Sequence, residues 1–246
     1  MILVLGGTAE ARTLADALDD AGLDVLTSLA GRVSNPRLPR GRVRVGGFGG
    51  PEAFAAWLRT AGIAAVVDAT HPFAARISSS AAQACPAAGV PLLRLERPGF
   101  SERPGDRWTR VADLAAAAAV VRSCGGRVLL TTGRQGLAAF AGVTECWFLI
   151  RCVEMPAVPL PSRHELLLDR GPYTLKGELE LIDRHRIDRL VTKDSGGAMT
   201  ECKLDAARER ELAVIVVERP RRPDVRTVPS VREALSWAGA AAGTSP

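Results

Sequence analysis

Short apolar strands alternating with amphipathic helices predict a doubly wound α/β fold, and three observations carry that prediction. The strand Ile2–Leu5 runs straight into Gly6-Gly7-Thr8 and a helix, the tight βα connection of a parallel sheet. A Pro-, Gly- and charge-rich stretch, Arg97–Asp106, then interrupts the alternation, which resumes beyond it. Finally, Val90-Pro-Leu-Leu-Arg-Leu-Glu-Arg-Pro98 is echoed by Leu212-Ala-Val-Ile-Val-Val-Glu-Arg-Pro220. The expected architecture is therefore two Rossmann-like domains with mostly parallel sheets and a cleft between them. Boundaries are expected at 1–97, a linker at 98–106, and a second domain at 107–246.

In the first run, strands are expected at Ile2–Leu5, Asp24–Ser28, Arg42–Val45, Ala64–Val67 and Pro91–Leu95. Glu10–Asp20 carries Leu14, Ala15 and Leu18 at helical spacing, and further helices are expected near Pro51–Ala61 and Ala74–Ala88. In the second run, strands are expected at Val128–Thr131, Cys146–Ile150, Arg189–Thr192 and Ala213–Val217. Helices are expected near Asp113–Arg122, Gly136–Phe140, Leu175–His185, Thr200–Glu211 and Ser230–Ala241. The echo would place Lys193-Asp-Ser-Gly-Gly197 in the second domain where Thr70-His71-Pro72 sits in the first. Two strands rich in Val, Ile and Leu would also look alike without common origin.

The chain's 246 residues, 47% of them hydrophobic, can build a substantial core. No basic leader precedes the first strand, and Ala112–Val121 is too short to span a bilayer, so a cytoplasmic protein without membrane attachment is expected. The five cysteines are scattered without a Cys-x-x-Cys pair and read as reduced structural thiols. His71, His164 and His185 lack metal-ligand spacing, so no metal site is expected. A net charge of +5 favours anionic ligands, while one tyrosine and six phenylalanines without a stacking cluster argue against nucleic acid. Of 32 basic residues, only Lys176, Lys193 and Lys203 are lysines. Either chance or a task unsuited to the fixed guanidinium fork retains them.

Glycine at 6 and 7 would let a ligand approach the backbone, and the following helix would offer N–H groups to a diphosphate. The same turn serves equally well as a plain βα connection. Thr8 would add a hydroxyl donor, and Arg12 lies one turn along. The second strand ends Thr27-Ser28-Leu-Ala-Gly-Arg32 without the carboxylate that binds a 2′-hydroxyl in NAD sites, so Ser28 and Arg32 suit the 2′-phosphate of NADPH. Arg32 as one more solvated arginine is the alternative. Past the end of the fourth strand, Thr70 and His71 occupy the position where open α/β sheets bind ligands. Thr132, Gly133 and Arg134, Gly171 and Tyr173, and Lys193, Asp194, Ser195 and Gly196 with Lys203 lie near strand ends of the second domain, offering donors for several carboxylates.

Four segments, Ile2–Arg12, Gly46-Gly-Phe-Gly-Gly50, Ala64–Arg76 and Thr192-Lys-Asp-Ser-Gly-Gly197, make the chain resemble the precorrin-6A reductase family of cobalamin biosynthesis, from residue 1 to beyond Arg219-Pro220. The resemblance implies that NADPH delivers hydride to precorrin-6A, an anionic tetrapyrrole, to give precorrin-6B. It also implies that Gly47 and Gly49 border the nicotinamide and substrate region. His71, Lys193 and Lys203 are the titratable candidates for the accompanying proton, with solvent as a competitor. A cobalt-precorrin-6A reductase of the anaerobic route and a non-catalytic NADP-binding sensor are the alternatives. A Tyr-x-x-x-Lys dehydrogenase is excluded because Lys176 follows Tyr173 by three residues.

Overall fold

A computed structural model describes residues 1–31, 37–197 and 200–243. The chain order begins β1 (Ile2–Leu5), α1 (Ala9–Asp20), β2 (Val25–Leu29), β3 (Arg42–Val45), α2 (Pro51–Thr60), β4 (Ala65–Asp68), α3 (Ala75–Ala88) and β5 (Leu92–Leu95). It continues with β6 (Arg107–Val111), α4 (Leu114–Cys124), β7 (Gly126–Leu130), a 3₁₀ turn (Arg134–Phe140), β8 (Cys146–Cys152) and β9 (His164–Leu168). Then come α5 (Leu175–His185), β10 (Arg189–Lys193), α6 (Cys202–Glu209), β11 (Ala213–Val217), β12 (Thr227–Val228) and α7 (Val231–Gly243). The expected helix at Gly136–Phe140 is thus a 3₁₀ segment.

Two compact units form, Met1–Pro98 with Arg221–Pro246, and Gly99–Pro220. The expected first boundary lies beside the observed one, whereas the expectation that 107–246 forms the second domain is corrected at its end. β12 pairs in parallel with β5, and Ala234 and Ala238 of α7 bury completely in the core that α1 covers. The stretch read as a linker also belongs largely to the second unit, where Phe100 is buried.

Among the described residues, each unit contains one six-stranded sheet, ordered β12-β5-β4-β1-β2-β3 in the first and β6-β11-β10-β7-β8-β9 in the second. Every strand pairing is parallel. The two orders match position by position. The outer strand next to β5 comes last in its unit, whereas its counterpart next to β11 comes first. β4 and β10 therefore hold equivalent places, as the sequence echo anticipates.

Alternation across β1 explains the first core. Ile2 and Val4 face Leu14 and Leu18 of α1, while Leu3 and Leu5 face Phe54 and Leu58 of α2 and Ala81 of α3. Each such Leu or Phe removed from water contributes roughly 1.5–3 kcal/mol. In the second unit, Leu129, Leu149, Leu190 and Val214 pack against Ile182, Leu204 and Ala207. Among the described residues no helix is long and apolar enough to cross a membrane.

Candidate functional site

In the first unit the chain leaves β1 toward β2 on one side and reaches β4 on the other, so the loops after β1 and β4 diverge at the carboxyl edge of the sheet. That divergence is the place where open α/β sheets take ligands. Gly6 is required there: a Cβ would lie 2.9 Å from Thr27 Cγ2 and 3.1 Å from Leu29 Cδ2. Gly7 has φ +112° with nothing within 4 Å of where its Cβ would stand, leaving open space over the turn.

Thr8 caps α1. Its hydroxyl accepts from the Ala11 N–H at 3.0 Å and donates to the Ala69 carbonyl at 2.8 Å. This corrects its expected role as a hydroxyl donor to a ligand, because its single proton is committed to β4's end. What the turn retains is the set of earlier N–H groups, which have no carbonyl a turn before them to bond. Glu10 in this first turn would repel an anion, but Arg97 pairs with it. Arg12 curls back onto the Thr8 carbonyl at 3.3 Å.

At the β2 end stands a residue that is not among those expected from the sequence. Arg44 on β3 sits in register with Ser28, and its Nη1 donates to Ser28 Oγ at 2.9 Å and to the Gly46 carbonyl at 3.1 Å. Its Nη2 donates to the Gly47 carbonyl at 3.2 Å, and its Cζ lies 3.9 Å from the Phe48 ring centroid. Phe48 in turn stacks on Phe54 at 3.8 Å. Burial lowers the Arg44 pKa, so an anion there would relieve a desolvated cation. Arg32 lies outside the described residues. Gly47 and Gly49, the latter at φ +82°, follow β3, three strands from β4. At roughly 4.8 Å per strand, they border the Ser28–Arg44 side of the sheet edge, away from the β4 loop.

At the β4 end, Asp68 is buried and its Oδ1 accepts both the Thr70 N–H at 3.2 Å and the Thr70 hydroxyl at 2.6 Å. His71 follows, its Nδ1 accepting the Phe73 N–H at 3.2 Å, which leaves the ring proton on Nε2. Both Thr70 and His71 are half-buried.

In the second unit, Lys193 closes β10 and is half-buried, and burial lowers its pKa. Ser195 is buried, while Gly196 and Gly197 take φ +63° and +86°. Asp194 is a correction. Its Oδ1 accepts the Phe100 N–H at 2.7 Å, its Oδ2 stands 3.5 Å from Arg110, and a Cβ on Gly99 would strike it at 2.8 Å. Its carboxylate therefore closes a turn instead of facing a ligand. Lys203 on α6 is also buried, with Nζ 5.5 Å from the Phe100 ring centroid, so Asp194 and Lys203 converge on Phe100.

Thr132 likewise departs from expectation, since its hydroxyl is sealed in the interior. Gly133, at φ +74°, opens the 3₁₀ turn, and Arg134 pairs with Glu154 at 3.0 Å. Tyr173 borders a cavity of about 230 Å³ shared with Asp169, Arg151, Pro172 and Glu178, whereas Gly171 is not part of its lining. Arg151 pairs with Glu178 in the interior and lies 3.9 Å over the Tyr173 ring. No local pattern in the sequence singles out that pair. The thiols of Cys85, Cys146, Cys152 and Cys202 are pushed up by burial, Cys85 to about 12, as inert structural cysteines should be.

The profile of the precorrin-6x reductases CbiJ/CobK matches residues 1–239. The chain belongs to that family. It is 50% identical over 240 residues to a precorrin-6A reductase of Rhodococcus erythropolis, covering 97% of each chain. Similarity extends to a cobalt-precorrin-6A reductase of Salmonella typhimurium, at 31% identity over 89% of this chain and 87% of that one. A solved structure of a CobK precorrin-6A reductase superposes with a TM-score of 0.92 at 40% identity, covering 98% of this chain and 96% of the other.

Proposed function

We propose that this chain is a precorrin-6A reductase of cobalamin biosynthesis that uses NADPH and yields precorrin-6B. The observation that carries the cofactor is Arg44 bonded to Ser28 at the end of β2, where an NAD site would present a carboxylate. The curated relatives named precorrin-6A reductase reach 50% identity, against 31% for a cobalt-precorrin-6A reductase, and this favours the cobalt-free substrate.

NADPH, when bound, supplies a hydride to a carbon–carbon double bond of the macrocycle. The chain's residues bind, orient and protonate. The Gly6-Gly7 turn and the α1 N-terminus receive the diphosphate, with Arg44 and Ser28 holding the 2′-phosphate. Thr70 and His71, past β4, stand on the nicotinamide side of the sheet. In the second unit, Lys193, Ser195 and the Gly196 backbone receive substrate carboxylates, with Arg134, Gly171 and Tyr173 extending that edge.

Lys193 is the proposed proton donor. A lysine whose pKa burial has lowered gives up a proton more readily near neutral pH than an exposed one. Lys203, against Phe100, supports the loop from α6, so its role is positional.

The test is anaerobic turnover of precorrin-6A and of its cobalt-loaded form with NADPH and with NADH, followed by loss of reduced-cofactor absorbance and by mass spectrometry of the macrocycle. A gain of two hydrogens by the cobalt-free substrate, with NADPH preferred, is expected. Turnover of the cobalt form alone would reassign the substrate, and binding of NADPH without turnover of either would make the chain a sensor.

A further inference from the structure

The polar layer under the β4 loop fixes the direction of every hydrogen bond that reaches Thr70. Asp68 Oδ1, a carboxylate oxygen, can only accept, so the Thr70 hydroxyl spends its one proton there at 2.6 Å. Ser78, fully buried inside α3, has its Oγ 3.4 Å from Thr70 Oγ1. With the Thr70 proton already committed, Ser78 must be the donor in that contact. Ser78 itself accepts from Arg222 Nη1 at 3.2 Å, and a guanidinium can only donate.

The chain of bonds thus runs one way, from Arg222 to Ser78 to Thr70 to Asp68. Its ends are held. Arg222 pairs with Glu96, and Arg94 lies 3.7 Å from Asp68 Oδ2 while donating to the Pro223 carbonyl at 3.0 Å. The remaining half-buried face of the Thr70 oxygen therefore offers a lone pair and no proton.

We infer that Thr70 is an acceptor-only contact and that it takes the amide N–H₂ of the nicotinamide carboxamide. This rests on the NADPH reading above. With the diphosphate at the turn after β1 and the 2′-phosphate beside β2 and β3, the sheet order puts the nicotinamide half over β4, where Thr70 stands. A phosphate or carboxylate oxygen would meet the lone pair with another lone pair, so the contact selects a donor. Holding the carboxamide by its N–H₂ also fixes the rotation of the ring, and with it which ring face is presented.

The experiment is calorimetric titration of the whole chain with NADP⁺ and with its 3-acetylpyridine analogue, in which a methyl ketone replaces the amide and only the N–H₂ donor is lost. One net hydrogen bond corresponds to about 0.5–1.5 kcal/mol, or roughly two- to tenfold in Kd. The wild-type protein is expected to bind NADP⁺ more tightly than the analogue by that factor. Thr70→Ser keeps the ratio, and Thr70→Val brings it close to one. Equal affinity of the wild-type chain for the two ligands overturns the inference without any variant, as does a ratio that survives in Thr70→Val. If NADP⁺ binds with the expected ratio but precorrin-6A is not reduced, the catalytic reading fails while the Thr70 contact stands. If neither ligand binds, the NADPH reading falls and takes this inference with it.

Discussion

Arg44 Nη1 donates to Ser28 Oγ at 2.9 Å across the β2–β3 pair, so a guanidinium stands at the end of the second strand, the position at which dinucleotide-binding α/β sheets in general distinguish a 2′-hydroxyl from a 2′-phosphate. The contact is prepared before any ligand arrives. Two carbonyls of the Gly46–Gly47 turn and the face of Phe48 hold the arginine, and little side-chain entropy remains to be lost on binding.

Arg44→Ala is therefore expected to weaken NADPH binding by about ten- to a hundredfold, the loss of a charge-assisted contact of roughly 1.5–3 kcal/mol. NADH affinity should change little. Fluorescence titration with both cofactors measures this, and parallel losses would mean that Arg44 only supports the turn.

His71 lies on a half-buried loop rather than in the apolar core, with Nδ1 engaged by the Phe73 N–H and Nε2 carrying the proton. His71→Ala should depress turnover while moving Tm by no more than a few degrees, roughly what a change under 1 kcal/mol produces in a chain of this size. His71→Asn, which keeps an acceptor near the Nδ1 position, should restore loop order but not turnover. A large drop in Tm with normal specific activity would make the residue structural.

Arg151 and Glu178 form a buried pair at 5% and 2% side-chain exposure. Removing one partner strands a charge in the interior, a cost of about 3–5 kcal/mol. Glu178→Ala should lower the urea midpoint accordingly, whereas the double variant Arg151→Met with Glu178→Leu should recover most of the loss. Because Arg151 also lies over Tyr173, the double variant is expected to raise the KM for the tetrapyrrole even where stability returns. A double variant no more stable than the single one would show that the pairing is not the source of the effect.

The sequence was most legible where burial was complete. β1 and the Val214–Val217 stretch of β11 are runs of Val, Ile and Leu, buried throughout, and their positions follow from hydropathy alone. β6 and β9 are edge strands with exposed Arg, His and Glu, so half of each lacks that signal. Nothing local in Thr227-Val228 says that it pairs with β5, more than a hundred residues earlier, so the return of the C-terminal segment is not legible in the sequence. The same limit governed the site. Loop residues past strand ends were found as candidates, but whether a polar atom faces a ligand depends on partners distant in sequence. Asp194 meets Phe100, Thr8 meets Ala69, and Ser28 is claimed by Arg44 only through strand register.

Lys193 gives the prediction with a defined pH sense. Burial lowers its pKa in the folded chain below the 10.5 of the exposed group, so the unfolded chain binds that proton more tightly. Stability should therefore rise with pH between the lowered folded value and 10.5, as the penalty for a buried ammonium is relieved, and the slope attributable to this residue should vanish in Lys193→Met. Catalysis runs the other way. If Lys193 delivers the proton, turnover requires its charged form and should fall as pH rises through the lowered pKa, while in Lys193→Met the remaining activity loses that descending limb. The Kd for NADPH should stay nearly constant in the variant, because Lys193 belongs to the second unit and the cofactor turn to the first. Stopped-flow turnover and urea unfolding across the same pH range separate the two effects. A descending limb that persists in Lys193→Met assigns the proton to another group or to solvent, and collapse of NADPH binding in that variant would reverse the division of labour between the two units.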